Sequence, residues 1–146
     1  MIKIAYPAYP YKIRKENSKA FIFDDIRRQW VALTPEEWVR QNFLQYLVQV
    51  KKYPASLIAV EKEIRGGELT RRCDIVAYDK TANPLLMAEC KAMHVVLSAT
   101  TAEQILVYNA SLPVRYLVIT NGSYCFAYER SGEGLHLLAE IPEWKG

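Results

Sequence analysis

The sequence predicts an α+β domain, one sheet with helices packed on it, in the order α-β-β-β-α-β-β. Three observations lead there. The segment LTPEEWVRQNFLQYLVQVKK (33–52) repeats apolar residues at helical spacing. Three short β-type runs, LIAVEKEI, CDIVAYD and LLMAECKA, follow with hairpin-length links. After a second helical segment, TAEQILVYNASL, the chain closes with VRYLVIT, YCFAYER and LHLLAEI. A chain of 146 residues and 16.8 kDa suits one domain with a real core.

Taken in order, residues 1–32 are rich in Tyr, Pro and basic side chains. They read as an extended N-terminal arm that can pack as a short edge strand, and residues 33–146 as the globular domain. The first helix is expected over about Pro35–Lys51. Thr34 can cap it, Pro35 fits its first position, and Glu37 stands three residues after Thr34 as a capping box requires. Val39, Phe43, Tyr46, Leu47 and Val50 form its buried stripe. Gly66-Gly67 and KTANP mark turns, so the three strands form an antiparallel meander. Thr100 or Thr101 is the expected cap of the second helix, and Asn121-Gly122-Ser123 the turn before YCFAYER.

Nineteen Lys and Arg against 16 Asp and Glu give +3, a balance that permits a polyanionic partner without arguing for one. Cys73, Cys90 and Cys125 are odd in number and sit inside apolar runs, which argues against a disulfide framework or a CxxC metal cluster and reads as core packing in a reducing compartment. No run approaches the roughly 20 apolar residues of a membrane span, and a cytoplasmic protein is expected. His94 and His136 are too far apart in sequence to suggest a zinc site.

The charges of CDIVAYDKTANPLLMAECKA are harder to explain. If KTAN is the hairpin loop and Asp79 pairs with Pro84, Asp74 faces Glu89, with Cβ atoms about 4.5–5.5 Å apart. Lys91 shares the face of Glu89, while Cys73, Ile75, Leu86, Ala88 and Cys90 point the other way. Facing carboxylates need compensation from a proton, from Lys91 or from a divalent cation. A hard Mg²⁺ ion between Asp74 and Glu89, with Lys91 beside it, would suit phosphodiester hydrolysis. A solvated strand-end ion pair is the plainer alternative. On the first helix Glu36 falls within the Val39-Phe43-Leu47 stripe and is expected to point toward the sheet. On the second, Gln104 and Tyr108 share a face.

At Asp74, Glu89-Cys90-Lys91 and Gln104-x-x-x-Tyr108 the chain resembles the PD-(D/E)xK nuclease superfamily. More narrowly it resembles the N-terminal nuclease domain of the R subunit of type I restriction enzymes, through LTPEEWVRQ, LIAVEKEI, RRCDIVAYD, PLLMAECKA, EQILVYN and VITNG in that order. The resemblance implies a restriction-endonuclease-like αβββαβ core with a mixed central sheet flanked by helices. It implies a Mg²⁺-dependent endodeoxyribonuclease, with Mn²⁺ as a substitute. Asp74 and Glu89 would be the metal ligands, Lys91 the catalytic lysine, and Gln104 with Tyr108 the pair that supports the site and contacts DNA. Glu36 would be the helical acid many relatives carry. Cys73 replaces the motif's proline.

No GxxxxGK[ST] phosphate loop occurs in these residues, so ATP-driven translocation is not expected of this chain alone. The implied partner is DNA, not a membrane. Cutting both strands would call for a homodimer, or a separate motor or specificity subunit would supply what this chain lacks. Restriction-modification or DNA repair would be the setting. The alternatives are a catalytically silent DNA-binding or complex-forming module on the same fold, and a domain that only docks to partner proteins.

Overall fold

In a computed structural model, the structure describes residues 1–108, 112–132 and 134–146; of residues 69, 107 and 108 only the backbone is described. In chain order the elements are β1 (Ile2–Lys3), β2 (Ile13–Glu16), β3 (Lys19–Asp24), β4 (Gln29–Ala32), α1 (Pro35–Gln49), β5 (Ile58–Gly66), β6 (Leu69–Tyr78) and β7 (Pro84–Cys90). Then come α2 (Ala99–Tyr108), β8 (Tyr116–Thr120), β9 (Tyr124–Ser131) and β10 (Gly134–Leu137). The run α1-β5-β6-β7-α2-β8 is the αβββαβ order of a restriction-endonuclease-like core.

The main sheet runs β1-β9-β8-β7-β6-β5, with β10 also on β9. β5, β6 and β7 form the expected antiparallel meander, and α2 carries the chain across so that β8 lies parallel to β7. The sheet is therefore mixed. Within residues 1–32, β1 adds an edge strand to β9, and β2-β3-β4 form a second, three-stranded antiparallel sheet.

The sheet buries both faces. On one, Val39, Phe43 and Leu47 of α1 pack against Ile75, Ala77, Leu86, Ala88, Cys90 and Val118. On the other, Ala102 and Leu106 of α2 pack against Val76, Met87, Leu117, Ile119 and Phe126. Full burial of Phe43 or Leu47 is worth about 2–3 kcal/mol each, so this stripe is the main anchor of α1. Among the described residues no helix is long and apolar enough to cross a membrane.

Thr34 caps α1 as expected, its Oγ1 accepting the Glu37 N–H at 3.0 Å, with Pro35 in the first turn. Four details differ from the sequence reading. Val50 lies just beyond α1 as its C-cap and is exposed, because the helix stops at Gln49. The cap of α2 is Ser98, whose Oγ accepts the Thr101 N–H, rather than Thr100 or Thr101. The hairpin pairs Ile75 with Ala88, Val76 with Met87 and Ala77 with Leu86 as expected, but a shift between Ala77 and Tyr78 puts Tyr78 opposite Pro84 in place of Asp79. Asp79 organises the turn instead, its carboxylate accepting from the N–H groups of Thr81 and Asn83 and from the Thr81 hydroxyl. Fourth, Cys73 packs with Ile64, Val76 and Met87, away from the face of Ile75. The change of face falls at Asp74, across from Glu61, whose φ of +52° interrupts the regular strand between the pairs Val60–Ile75 and Lys62–Cys73.

Candidate active site

The β6–β7 ladder ends at Ile75–Ala88, and just beyond it Asp74 and Glu89 come together, their carboxyls sharing a hydrogen bond. The Cys90 N–H donates to Asp74 Oδ2 at 2.8 Å and holds that carboxylate in place. Glu89 stands on the face of Met87, while Cys90 is fully buried on the α1 side. Burial, the Asp74 charge and a hydrogen bond with Asp74 push the Glu89 carboxyl up to about 8; Lys91 acts in the opposite direction and Glu36 adds to the rise. Four of the sequence-selected residues thus act on one spot. Lys91 follows β7, and its backbone N–H donates to the Thr120 carbonyl at 2.8 Å, which ties the residue to the end of β8.

Glu36 reaches the rim but does not point into the sheet. Its side chain is 48% exposed and lies 3.5 Å from Arg40 Nη2. The buried acid is Glu37, together with Arg40, Gln41 and Gln45. The helical wheel misassigned the two because α1 is covered on a second flank, where Arg27, in the turn between β3 and β4, meets both oxygens of Glu37 at 3.0 Å. Gln104 is exposed on α2, and no hydrogen bond among the described residues joins it to Asp74, Glu89 or Lys91. The side chain of Tyr108 lies outside the described residues.

Sequence reasoning missed the ion network beneath this site. The Arg40 guanidinium lies 2.7 Å from Glu37, 3.2 Å from Glu61 and 3.3 Å from Asp74. Arg27 meets Asp24 at 2.5 Å and Glu61 at 3.3 Å, and Arg72 also pairs with Glu61. The hydrogen bond from Arg72 lowers the Glu61 pKa against its partial burial, with help from Arg40 and Arg27. Burial works against the charge on Arg40, and Glu37 and Asp74 more than restore it. One signal was available: Glu36, Glu37 and Arg40 stand at helical i, i+3 and i, i+4 spacings.

Asp74 and Glu89 supply hard oxygen donors, and burial together with the Asp74 charge raises the Glu89 carboxyl. A small divalent cation fits that donor set. Among the described residues no group of three or more His, Cys, Asp or Glu could hold a metal, so the protein would contribute two carboxylates and leave other positions to water and phosphate oxygens, as Mg²⁺ tolerates. Cys90, between Glu89 and Lys91 in sequence, faces the core and is not a ligand.

A family model described as type I restriction enzyme R protein N terminus matches residues 35–142. The match begins with α1 and includes every residue of the carboxylate cluster, whereas β1 to β4 precede it. Comparison with curated proteins and with solved structures gave no match.

Proposed function

As a chain that belongs to the type I restriction enzyme R protein N-terminus family, the protein is, we propose, a metal-dependent DNA nuclease that hydrolyses phosphodiester bonds with Asp74, Glu89 and Lys91. The observation that carries this reading is the facing pair Asp74 and Glu89, with the Glu89 carboxyl pushed up to about 8 and Lys91 acting on it. Burial and a facing carboxylate both raise a carboxyl pKa, and a cation held between the two carboxylates would offset the second effect.

Bound Mg²⁺ or Mn²⁺ would supply neutralisation of a phosphate oxygen and a water acidic enough to attack near neutral pH. Asp74, fixed by the Cys90 N–H, and Glu89 would hold it. Lys91, anchored through Thr120, would orient the attacking water and stabilise charge growing on the phosphate. Glu36 at the rim completes the family-derived set with Gln104 and Tyr108 of α2, which by the family resemblance would support the site and contact DNA. A second copy, or a motor or specificity subunit, belongs to this reading where both strands are cut.

One observation favours a second reading, a silent DNA-binding or complex-forming module: Arg40, 3.3 Å from Asp74, already compensates that carboxylate within the protein. Plasmid nicking with Mg²⁺ or Mn²⁺ separates the two. The nuclease reading expects nicking that EDTA abolishes and that Lys91→Ala reduces by roughly 10²-fold or more. Absence of nicking and of metal binding by the folded wild type would leave the silent module.

A further inference from the structure

Residues 1–32 carry seven Lys and Arg against three Asp and Glu, so the formal +3 of the chain resides wholly there and the remainder is slightly negative. Much of this charge is gathered on one face of the β2-β3-β4 sheet. Phe23 and Trp30 are cross-strand partners with ring centroids 5.5 Å apart. Over Trp30 lies the Arg14 guanidinium, 4.4 Å from the centroid, and over Phe23 lie Arg28 at 5.5 Å and Lys12 at 5.6 Å. β2 is exposed along its whole length.

The three acids of the segment barely offset these cations. Asp24 is buried on Arg27, Asp25 accepts from the Tyr9 hydroxyl, and Glu16 stands 3.5 Å from Arg14 in an exposed pair. The turn between β3 and β4 divides two neighbouring arginines. Asp24 Oδ1 accepts the N–H groups of Ile26 and Arg27, Arg27 turns inward to Glu37 and Glu61, and Arg28, at φ +55°, turns outward over Phe23. The cationic face is thereby fixed to the end of α1 where Arg40 meets Asp74.

We propose that this face of the β2-β3-β4 sheet, formed by Lys12, Arg14 and Arg28 over Phe23 and Trp30, binds the phosphate backbone of the DNA that enters the Asp74–Glu89 site. It takes DNA as its ligand from the nuclease reading, and it lies outside the region the family match covers. Because cations sit over both rings, the rings hold charged groups in position and do not offer free surfaces for stacking bases. Contacts to phosphate position DNA without reading its sequence. The face therefore gives salt-dependent, sequence-independent affinity, and the carboxylate site does the chemistry.

The test is a titration of labelled random-sequence duplex in EDTA, between about 50 and 200 mM salt. It compares the full-length wild type with the triple variant Lys12→Gln, Arg14→Gln, Arg28→Asn; asparagine tolerates the left-handed backbone at 28. A variant with Lys52, Lys80 and Lys145 changed to Gln removes the same net charge elsewhere. Each phosphate contact contributes about 0.9 to the slope of log affinity on log salt, so the first variant should flatten it by about 2.7, and the second by much less. Unchanged far-ultraviolet circular dichroism and recovery of the slope by Lys12→Arg, Arg14→Lys, Arg28→Lys keep misfolding from imitating the result. Equal slopes in the two triple variants, or no DNA binding by the wild type, would overturn the proposal. Metal-free binding separates it from the nuclease reading: a chain that binds through this face and never nicks retains the face and loses the nuclease, and the reverse result does the opposite.

Discussion

Arg40 is buried on α1 with Glu36, Glu37, Glu61 and Asp74 around one guanidinium. Pairing offsets the desolvation of these charges, and removing Arg40 leaves Glu37 to Arg27 and Gln41, Glu61 to Arg27 and Arg72, and Asp74 to the Cys90 N–H. Arg40→Met keeps most of the side-chain volume but takes the 2.7 Å ion pair from Glu37, which is 6% exposed, and the 3.3 Å pair from Asp74. It should destabilise the fold by about 2–3 kcal/mol in urea unfolding, below the full cost of an uncompensated buried charge. Arg40→Lys should recover part of this, because a point charge cannot make the fork of contacts that a guanidinium makes. A neutral Arg40→Met would mean that the network is worth no more than a set of surface pairs.

The elements that frame the site meet at the turn between β8 and β9. Asn121 Oδ1 accepts the N–H groups of Ser123 and Tyr124, and its amide donates to the Val95 carbonyl at 2.9 Å. Gly122 follows at φ +94°, and a Cβ there would lie 3.1 Å from Val39 Cγ2 and 3.3 Å from Met93 Cγ. Glycine is needed twice, for the backbone and for the close approach of α1. Gly122→Ala should therefore cost about 1–3 kcal/mol, read as a lowered midpoint of thermal or urea unfolding. A midpoint equal to wild type would show that α1 can give way at no cost, which the full burial of Val39 argues against.

At the scale of the whole molecule, two carboxylates tilt the stability–pH profile in opposite directions. Glu61 titrates below its ordinary 4.5, so its contribution is present above that value and is lost as pH falls through the folded pKa. Glu89 titrates near 8, so the native state binds more protons than the unfolded chain between 4.5 and 8, and stability falls as pH rises through that window. From these two groups the metal-free protein should be most stable near pH 4.5, where the contribution of Glu61 is largely present and the loss through Glu89 is only beginning. Glu89→Gln should flatten the upper limb, raising stability at pH 8 by about 2–4 kcal/mol after allowing for partial exposure. Mn²⁺ should raise the melting temperature of the wild type at pH 8 and not that of Glu89→Gln, because a ligand carboxylate must shed its proton to bind metal. A profile flat from pH 5 to 8 would remove the Asp74–Glu89 interaction on which the proposed metal site depends.

Strands and helices were largely legible in the sequence because their signals are local. The Thr34 cap lies three residues from the N–H it satisfies, and alternation along two runs joined by a short turn was enough to pair Ile75 with Ala88 and set Asp74 against Glu89. The sequence by itself thus determined the αβββαβ order and the facing carboxylates. Only the tertiary structure decided that Glu37 is buried and Glu36 exposed, that Cys73 leaves the face of Ile75, that Arg40 lies under the site, and that residues 13–32 form a sheet with a cationic face. Those outcomes depend on what lies opposite: Arg27 is ten residues from Glu37, and Arg40 is thirty-four from Asp74. Periodicity records which way a side chain leaves its own element. The charge that meets it there is set by how the elements pack.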